Sequence, residues 1–452
     1  MTGFLNQRDL LQRHAVPVPR YTSYPTANHF NAAVDSETYR SWLAALAPGS
    51  SLSLYLHIPY CRELCHYCGC NTKATRRYSP VAEYLAPLED EIESVAALLP
   101  PAHSVTHIHW GGGSPNILEA KDILHLGENL ASRFNFSRDG EFAVEIDARE
   151  LHSEQVDAFS RIGINRVSLG VQDFDERVQH AIGRLQSYEM TQKAVEQFRD
   201  KGIGSINIDL VYGLPHQTED SVARTIEKVL SLDPDRIAIF GYAHLPSRLK
   251  HQRLIDDKVL PDAMQRFQQS RRVAAMLAQA GFVSIGIDHF ARQSDNLSRE
   301  PLTRNFQGYT TDAASALIGF GASAISRLPQ GFAQNDVAVD GYARRLSLHG
   351  LATARGAILT EDDRVRSHVI ERLMCDFSLS ESDLTDRFGL AASEVITISR
   401  ALVSNDTDGL VEATKNGFKV TDTGRPFVRN ICARFDAYLP QQTEQRRHAL
   451  AV

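Results

Sequence analysis

The stretch HIPYCRELCHYCGCN, from His57 to Asn71, holds four of the six cysteines in the 452-residue chain. Cys61, Cys65, Cys68 and Cys70 follow the spacing C-x3-C-x2-C-x-C. The stretch begins at the end of LSLYLHI, an alternating apolar segment that predicts a β-strand leading into a loop. Because cysteine is otherwise sparse, four thiols in one short loop indicate a shared chemical role.

Three interpretations of the cysteine loop are open. A disulfide pair is the weakest, because the sparse cysteines fit a reducing compartment and such short loops close with strain. Four thiolates would saturate a zinc ion, although structural zinc sites more often pair two C-x2-4-C knuckles across a longer loop. An iron–sulfur cluster is also held by thiolates. If only the first three cysteines bind a [4Fe–4S] cube, one iron stays open for a substrate.

The composition excludes several classes of function. Hydrophobic residues make up 43% and charged residues 23% of the chain, as in ordinary globular proteins. A net charge of −7 gives no electrostatic reason to expect nucleic acid binding. Arg8 and Asp9 interrupt the N-terminus before an apolar run, and residues 313–326 are too short to span a bilayer. We therefore expect a cytoplasmic protein with no signal peptide and no membrane span.

From residue 51 to about residue 290, predicted strands alternate with predicted helices. This alternation predicts parallel βαβ units, hence an α/β fold that is either a barrel or an open doubly wound sheet. In both folds the functional sites lie at the carboxyl ends of the strands. The predicted strands are 52–58, 103–110, 141–148, 165–172, 205–213 and 235–243, and the predicted helices are 35–45, 80–99, 187–201, 219–232 and 263–280.

Polar residues cluster at those carboxyl ends. The cysteine loop follows the first strand, and the glycines 111–113 follow the second. Glu145 and Asp147 lie in the third strand, Gln172 ends the fourth and Asp209 lies in the fifth. Because parallel strands end at one edge of a sheet, these residues predict a single composite site.

Two features of this site have competing interpretations. The GGGS run at 111–114 lacks the spacing of a dinucleotide or P-loop motif, so it makes either a tight turn or a close backbone approach to a ligand. Glu145 and Asp209 interrupt apolar strands, and buried carboxylates need partners. They form either structural ion pairs, with Arg166 or Arg184, or a binding surface for amino and ribose hydroxyl groups.

Changes of pattern divide the chain into four predicted segments. The first is an arm that either straps the core or acts as a substrate-side lid through Arg20, Tyr21 and Tyr24. Beyond about residue 290 the alternation of predicted strands and helices ends, and residues 289–296 and 304–311 are interpreted as loops. The four segments are an N-terminal arm (1–50), the catalytic βα domain (51–290), a connecting segment that completes it (291–356) and a C-terminal domain (357–452).

The last segment has a helical pattern followed by GLVEATKNGFKVTDTG (409–424), a predicted hairpin with its turn at Asn416-Gly417. Helices followed by a hairpin predict a small winged-helix-like module. Acidic residues interleave throughout it, so we expect docking at the active-site mouth rather than DNA binding. The small residues of LIGFGASAIS (317–326) suit a close backbone approach.

The cysteine loop resembles that of the radical S-adenosylmethionine (SAM) family, and GGGSP resembles the family's glycine-rich element. A longer set of motifs is similar to the oxygen-independent coproporphyrinogen III oxidases of that family, from Pro19 to Leu439. Haem-chaperone relatives have an aromatic residue in place of Cys70. The motifs are RYTSYPTA, SLYLHIPYC, CGCN, HWGGGSP, GVQDF, NIDLVYGLP, YAHLP, DHFAR, NFQGYTT, SAIS and RNICARFDAYL.

The resemblance implies a partial (βα)6-type barrel with an N-terminal arm and a small helical C-terminal domain. It implies that Cys61, Cys65 and Cys68 hold a [4Fe–4S] cluster whose open iron binds SAM, and that Cys70 is needed for activity without being a ligand. It also implies two SAM molecules. The first would contact Tyr55, Gly112, Glu145 and Ile325, and the second Tyr67, Gly113, Ser114, Gln172, Arg184, Asp209 and Ala243.

Two local departures from the family pattern are Tyr67, often phenylalanine, and Ala148, commonly proline. The activity implied is the conversion of coproporphyrinogen III to protoporphyrinogen IX, in which a 5′-deoxyadenosyl radical starts the oxidative decarboxylation of two propionates. An electron donor such as a flavodoxin or ferredoxin and a monomeric state are expected. The alternative is a haem-binding or haem-trafficking relative without this activity. For the substrate carboxylates the candidate cations are Arg20, His289, Arg292 and Arg304.

Overall fold

The computed structural model describes residues 2–439, with side chains from residue 8 onward. Helices flank a large mixed sheet, and none within this range is long and apolar enough to cross a membrane. The α-helices are α1 Thr2–His14, α2 Ser36–Ala44, α3 Ser79–Leu98, α4 Ala120–Arg133, α5 Ser153–Arg161, α6 Glu176–Ile182, α7 Tyr188–Asp200, α8 Glu219–Ser231, α9 Ala263–Gln279, α10 Val339–His349, α11 Glu361–Asp376, α12 Glu381–Phe388, α13 Ser393–Ser404 and α14 Val428–Ala433.

Six strands in the middle of the sheet are parallel and adjacent in chain order. Helices connect them, so the predicted partial (βα)6-type barrel is confirmed. The predicted strand positions agree with the structure to within a few residues. The six strands are β1 Ser51–Ile58, β2 Ser104–Gly112, β3 Phe136–Ile146, β4 Arg166–Gln172, β5 Ser205–Tyr212 and β6 Arg236–Gly241.

Alternation within the strands decides which side chains face the barrel interior. In β4, Val167 and Leu169 are fully buried against the helices, whereas Ser168 and its alternate neighbours are only partly buried. In β5, Ile208 is fully buried and Asp209 is turned to the opposite face. Successive side chains of a strand point to opposite faces, so polar residues at alternate positions converge inside the barrel.

The helices start where the chain supplies a capping side chain. Asp35, Ser187, Thr218 and Asp262 each accept a hydrogen bond from a backbone N–H in the first turn of α2, α7, α8 and α9. Such caps satisfy donors that have no partner inside the helix. The predicted helices therefore begin within one residue of their observed positions.

The chain after residue 290 differs from the prediction. The segments interpreted as loops contain strands, including a hairpin of Thr303–Asn305 with Gly308–Thr310. The sequence pattern missed two further strands because every position in them is buried, which removes the alternation. The added sheet strands are β7 Phe282–Ile285, β8 His289–Arg292, β9 Ala316–Phe320, β10 Ile325–Leu328, β11 Gly331–Asn335 and β12 Thr353–Ile358.

Strand β9 pairs in parallel with β1, and β10, β11 and β12 extend that edge as antiparallel strands. At the other edge, β8 pairs antiparallel with both β6 and β7. The predicted close backbone approach occurs at Gly319, where a Cβ would lie 2.7 Å from the carbonyl oxygen of Ile325. Strands β1 to β12 form one continuous sheet.

The C-terminal part packs helices α11 to α14 around three short strands, β13 Ser378–Ser380, β14 Val411–Thr414 and β15 Gly417–Val420. The turn between β14 and β15 consists of Lys415 and Asn416, one residue earlier than predicted. Gly417 instead begins the returning strand with a φ of 139°, and a Cβ there would lie 2.1 Å from the carbonyl oxygen of Leu379. The predicted hairpin is otherwise confirmed.

The N-terminal arm shares a hydrophobic core with the C-terminal part. Leu10, Leu11 and Tyr24 of the arm are buried in one cluster with Leu373 and Phe418. The arm therefore packs onto the C-terminal helices beside the barrel. The four-segment division at residues 50, 290 and 356 stays a prediction.

Candidate active site

A cavity of about 720 Å³ lies at the carboxyl ends of the six parallel strands. The structure brings 13 of the 15 predicted site residues together in its lining, and Tyr55 and Ile325 lie outside it. The 13 are Cys61, Cys65, Tyr67, Cys68, Cys70, Gly112, Gly113, Ser114, Glu145, Gln172, Arg184, Asp209 and Ala243.

The two residues outside the lining are close to the site in different ways. Tyr55 lies in β1, where its hydroxyl is 2.9 Å from His57 Nδ1 and its ring stacks on His109 at 6.0 Å between centroids. Ile325 begins β10 and packs with an aromatic cluster that includes Phe332. Their predicted contacts with SAM stay predictions.

The four cysteines of the loop form no disulfide. Cys65 is buried, whereas Cys70 is exposed. Within residues 2–439 no three His, Cys, Asp or Glu side chains converge as ligands of one metal ion.

The loop surrounds its sulfur atoms with hydrogen-bond donors. The hydroxyls of Thr72 and Ser114 lie 3.3 and 3.7 Å from Cys61 Sγ. The Cys70 backbone N–H donates to Cys68 Sγ at 3.4 Å. Hydrogen bonds from the Cys70 side chain and backbone lower the pKa of the Cys68 thiol to about 6. Thiolates held this way fit the donor set of an iron–sulfur cluster.

Glu145 is held by two donors from β2. His109 Nε2 lies 3.0 Å from Oε1, and the Gly112 N–H donates to Oε2 at 3.1 Å. Burial raises the pKa of Glu145, but the hydrogen bond and the charge of His109 outweigh that effect and the pKa is lowered. Neither Arg166 nor Arg184 pairs with Glu145; its ionisable partner is His109, and the carboxylate lines the cavity.

Asp209 also has no arginine partner among the side chains described. Its Oδ2 accepts from Ser168 at 2.6 Å and its Oδ1 accepts from Asn207 at 2.9 Å. Burial raises its pKa. Arg166 instead pairs with Glu141 at 2.9 Å, away from the cavity. Both partly buried carboxylates line the cavity and remain available to a ligand.

A cluster of three charged side chains, Arg149, Arg184 and Asp147, lies beside Cys65. Arg184 Nη1 and Arg149 Nη2 each donate to Cys65 Sγ at 3.6 Å. Asp147 accepts from both guanidinium groups, at 3.2 Å from Arg184 and 2.6 Å from Arg149. Burial raises the pKa of Asp147, but the two arginines lower it to about 2. Arg149 was not predicted as a site residue; its position after the third strand was the available signal.

Gln252 is another residue that sequence reasoning missed. Its Nε2 donates to the carbonyl of Tyr67 at 3.0 Å and to that of Ala243 at 3.2 Å. The neighbouring His251 has Nε2 2.7 Å from the Cys68 carbonyl. These bonds fasten the cysteine loop to the chain that follows β6. No local motif marks Gln252 as a site residue, because Tyr67 lies 185 residues away in the sequence.

The candidate substrate cations have different locations. Arg20 lines the cavity and donates to the Gly241 carbonyl at 2.7 Å. His289 and Arg304 are buried beside Asp288, with His289 Nδ1 2.7 Å from its carboxylate. The structure does not bring Arg292 to the cavity. Its guanidinium pairs with Asp233, which precedes β6, so it lies at the amino end of the strands.

Two family models match the chain. Residues 55–229 match the radical SAM superfamily, and residues 359–427 match the HemN C-terminal domain. The first range contains the cysteine loop and the carboxylates described above. The second contains most of the C-terminal helices and strands.

Curated relatives cover nearly the whole chain. An oxygen-independent coproporphyrinogen III oxidase of Bradyrhizobium diazoefficiens is 46% identical over 93% of this chain and 95% of its own. The same-named protein of Salmonella typhimurium is 41% identical over 98% of both chains. The solved structure of coproporphyrinogen III oxidase (HemN) from Escherichia coli, a radical SAM enzyme, superposes with a TM-score of 0.88. It is 40% identical and covers 93% of this chain and 97% of its own. The chain therefore belongs to the oxygen-independent coproporphyrinogen III oxidase family of the radical SAM superfamily.

Proposed function

We propose that the protein converts coproporphyrinogen III to protoporphyrinogen IX without oxygen. Two propionate side chains are each oxidised and decarboxylated to a vinyl group. Family membership over more than nine-tenths of the chain supports this activity over haem binding or trafficking. The observation that carries the proposal is the convergence of three free cysteines, Glu145 and Asp209 on one cavity.

The proposal includes a [4Fe–4S] cluster held by Cys61, Cys65 and Cys68. When bound, the cluster and SAM supply the 5′-deoxyadenosyl radical that removes a hydrogen atom from the substrate. The hydroxyls of Thr72 and Ser114 donate to Cys61 Sγ and orient it. Cys70 serves activity without binding iron, and its N–H orients Cys68 Sγ.

Glu145 and the glycine run are proposed to hold the amino acid part of the first SAM. The Gly112 N–H and His109 fix the carboxylate from one side, which leaves the other side free for an ammonium or hydroxyl donor. A Cβ on Gly113 would lie 2.3 Å from the Tyr60 carbonyl oxygen, so a side chain there would push the loop apart. Tyr55 and Ile325 complete this proposed contact set.

A second SAM is proposed beside the first, along β4 and β5. Arg184 offers a cation for its carboxylate, and Asp209 accepts from its amino or hydroxyl groups. Arg184 is 7% exposed at its side chain, so water screens this contact little. The remaining proposed contacts are Tyr67, Gly113, Ser114, Gln172 and Ala243.

Each half of the reaction removes one hydrogen atom, carbon dioxide and one electron from a propionate. The chain's share is to orient the substrate and to exclude water, and aromatic groups such as Phe240, Tyr242 and Phe306 line the cavity for that purpose. Arg20 offers a cation for a substrate carboxylate at the same wall. His289 and Arg304 are buried behind this wall, where His289 packs against the ring of Phe240.

Several finer points belong to the same proposal. The protein works as a cytoplasmic monomer that receives electrons from a flavodoxin or ferredoxin. Residues 51–290 and the connecting segment 291–356 form the catalytic domain. The described residues of the arm 1–50 and of the C-terminal domain 357–452 share a hydrophobic core, which supports a joint role for them at the cavity mouth.

The test is an anaerobic assay of the reconstituted protein with SAM, a reductant and coproporphyrinogen III. Tetrapyrrole products and 5′-deoxyadenosine are followed together, with Cys65→Ala as the matched variant. Protoporphyrinogen IX and deoxyadenosine from the wild type, both absent in the variant, are expected. Deoxyadenosine with an unchanged tetrapyrrole would overturn the substrate assignment, and tight haem binding without turnover would favour the trafficking alternative.

A further inference from the structure

Two guanidinium groups converge on one sulfur atom of the cysteine loop. Arg149 and Arg184 each donate to Cys65 Sγ at 3.6 Å, and the side chains of both are nearly buried, with 12% and 7% exposure. The other two predicted cluster ligands have no cation among their hydrogen-bond donors in the described chain. The positive charge is therefore placed on one side of the predicted cluster.

The arrangement is held by a shared carboxylate. Asp147 accepts from the Nε and Nη2 atoms of Arg149 at 3.0 and 2.6 Å. It also accepts from Nη1 and Nη2 of Arg184 at 3.2 Å each. Two cations share one anion, so the group carries a net charge of +1 beside the thiolate. The family resemblance gives Arg184 a role at SAM but gives Arg149 none.

We propose that Arg149 is a positioning residue that raises the reduction potential of the cluster held in part by Cys65. This inference rests on the proposed function, because it requires a [4Fe–4S] cluster on the loop. One-electron reduction makes the cluster more negative, so a nearby cation and a donor to its sulfur stabilise the reduced form more than the oxidised form. Weak screening at a buried site strengthens this effect.

The chain offers a graded set of variants. Arg149→Gln removes the charge, and Arg149→Lys keeps it. Because Asp147 retains Arg184, neither variant leaves an unpaired buried carboxylate. Arg62 provides the matched control: it neighbours Cys61 in sequence but donates to the Arg76 carbonyl at 3.1 Å and not to sulfur. Arg62→Gln therefore removes one positive charge from the same loop without removing a sulfur contact.

The experiment is a redox titration of the SAM-free reconstituted proteins, followed by the electron paramagnetic resonance signal of the reduced cluster. Arg149→Gln is expected to lower the equilibrium constant for one-electron reduction at least tenfold, which corresponds to a shift of about −59 mV. Arg149→Lys is expected to change this equilibrium constant less than Arg149→Gln does. Arg62→Gln is expected to change it less than threefold. SAM is left out because a residue that only supports SAM binding would change SAM affinity without moving this potential.

Three results would overturn the inference while leaving the proposed function in place. One is an equilibrium constant for one-electron reduction of Arg149→Gln that lies within threefold of the wild-type value. Another is an equal shift in Arg62→Gln, which would assign the effect to overall charge. The third is loss of the cluster from both Arg149 variants, which would make Arg149 an assembly residue. A wild-type protein that forms no [4Fe–4S] signal would overturn the proposed function itself.

Discussion

The backbone N–H of Gly112 donates a hydrogen bond to Glu145 Oε2 at 3.1 Å, joining the carboxyl ends of β2 and β3. A Cβ on the preceding Gly111 would lie 2.7 Å from Glu145 Oε1, so the carboxylate occupies the space that a side chain would fill. Gly112 has a φ of +108°, a backbone conformation that residues with a side chain rarely adopt. The glycine run is therefore shaped around this carboxylate.

Gly111→Ala is expected to weaken SAM binding by about tenfold, or about 1.4 kcal/mol. The new methyl group displaces the free end of Glu145, which moves more easily than the backbone. The thermal midpoint should change little for the same reason. Equilibrium binding of SAM measures the effect, with Gly204→Ala as the control, because a Cβ at Gly204 meets nothing within 4 Å. Equal affinities in the two variants would contradict the proposed role of Glu145.

Cys68→Ser is expected to lose the cluster, whereas Cys70→Ser should retain it and lose activity. The Cys70 backbone N–H, which donates to Cys68 Sγ, is unchanged by that substitution. Iron and sulfide content with the anaerobic assay separates the two outcomes. Cys375→Ala is the control, since that buried thiol is packed beside Tyr309 in another part of the chain. Cluster loss in Cys70→Ser would make Cys70 a ligand.

Glu145→Gln and Asp209→Asn are each expected to remove one of two bound SAM molecules. The two carboxylates lie on different strands, and their hydrogen-bond partners within residues 2–439 are separate. Equilibrium dialysis of the reconstituted protein with labelled SAM measures the stoichiometry. A wild-type stoichiometry of one would refute the second site.

Arg20→Met is expected to raise the KM for coproporphyrinogen III by about tenfold and to leave SAM affinity unchanged. Arg20 is the one candidate cation that lines the described cavity. Steady-state kinetics at saturating SAM measure the change. Arg292→Met is the matched control, because Arg292 pairs with Asp233 at the other end of the barrel. A KM that rises equally in both variants would point to a general loss of folding.

Glu91 makes stability depend on pH. It accepts hydrogen bonds at 2.7 Å from the Gly321 N–H, the Tyr342 hydroxyl and the Asn335 amide. Burial raises its pKa to about 7, although these hydrogen bonds oppose the shift. Between the unfolded value of 4.5 and about 7, the folded chain binds more protons, so its stability falls as pH rises through this window.

Glu91 is expected to contribute up to about 3 kcal/mol to the free energy of unfolding. The full contribution is present below pH 4.5, and it is lost once the pH exceeds about 7. Thermal unfolding of the wild type and of Glu91→Gln at several pH values measures it. The variant should gain stability relative to the wild type as pH rises from 5 to 8. Parallel profiles would show that Glu91 does not titrate in this range.

The sequence by itself determined the six parallel strands, the helices between them and the residues at the strands' carboxyl ends. Hydrophobic periodicity and capping residues are local, so they predict local structure well. The cysteine spacing likewise predicted a metal-binding loop, because ligand spacing within one loop needs no tertiary information. The strands of 316–320 and 331–335 were missed because burial on both faces removes that periodicity.

Only the tertiary structure decided which side chains meet. Arg149 reaches Cys65, and Gln252 reaches Tyr67, through contacts between segments far apart in the chain. Arg292 is excluded from the cavity because the antiparallel pairing of β8 with β6 carries it to the amino end of the barrel strands. Strand register and direction set these distances, and neither is written in the composition or the motifs of one segment.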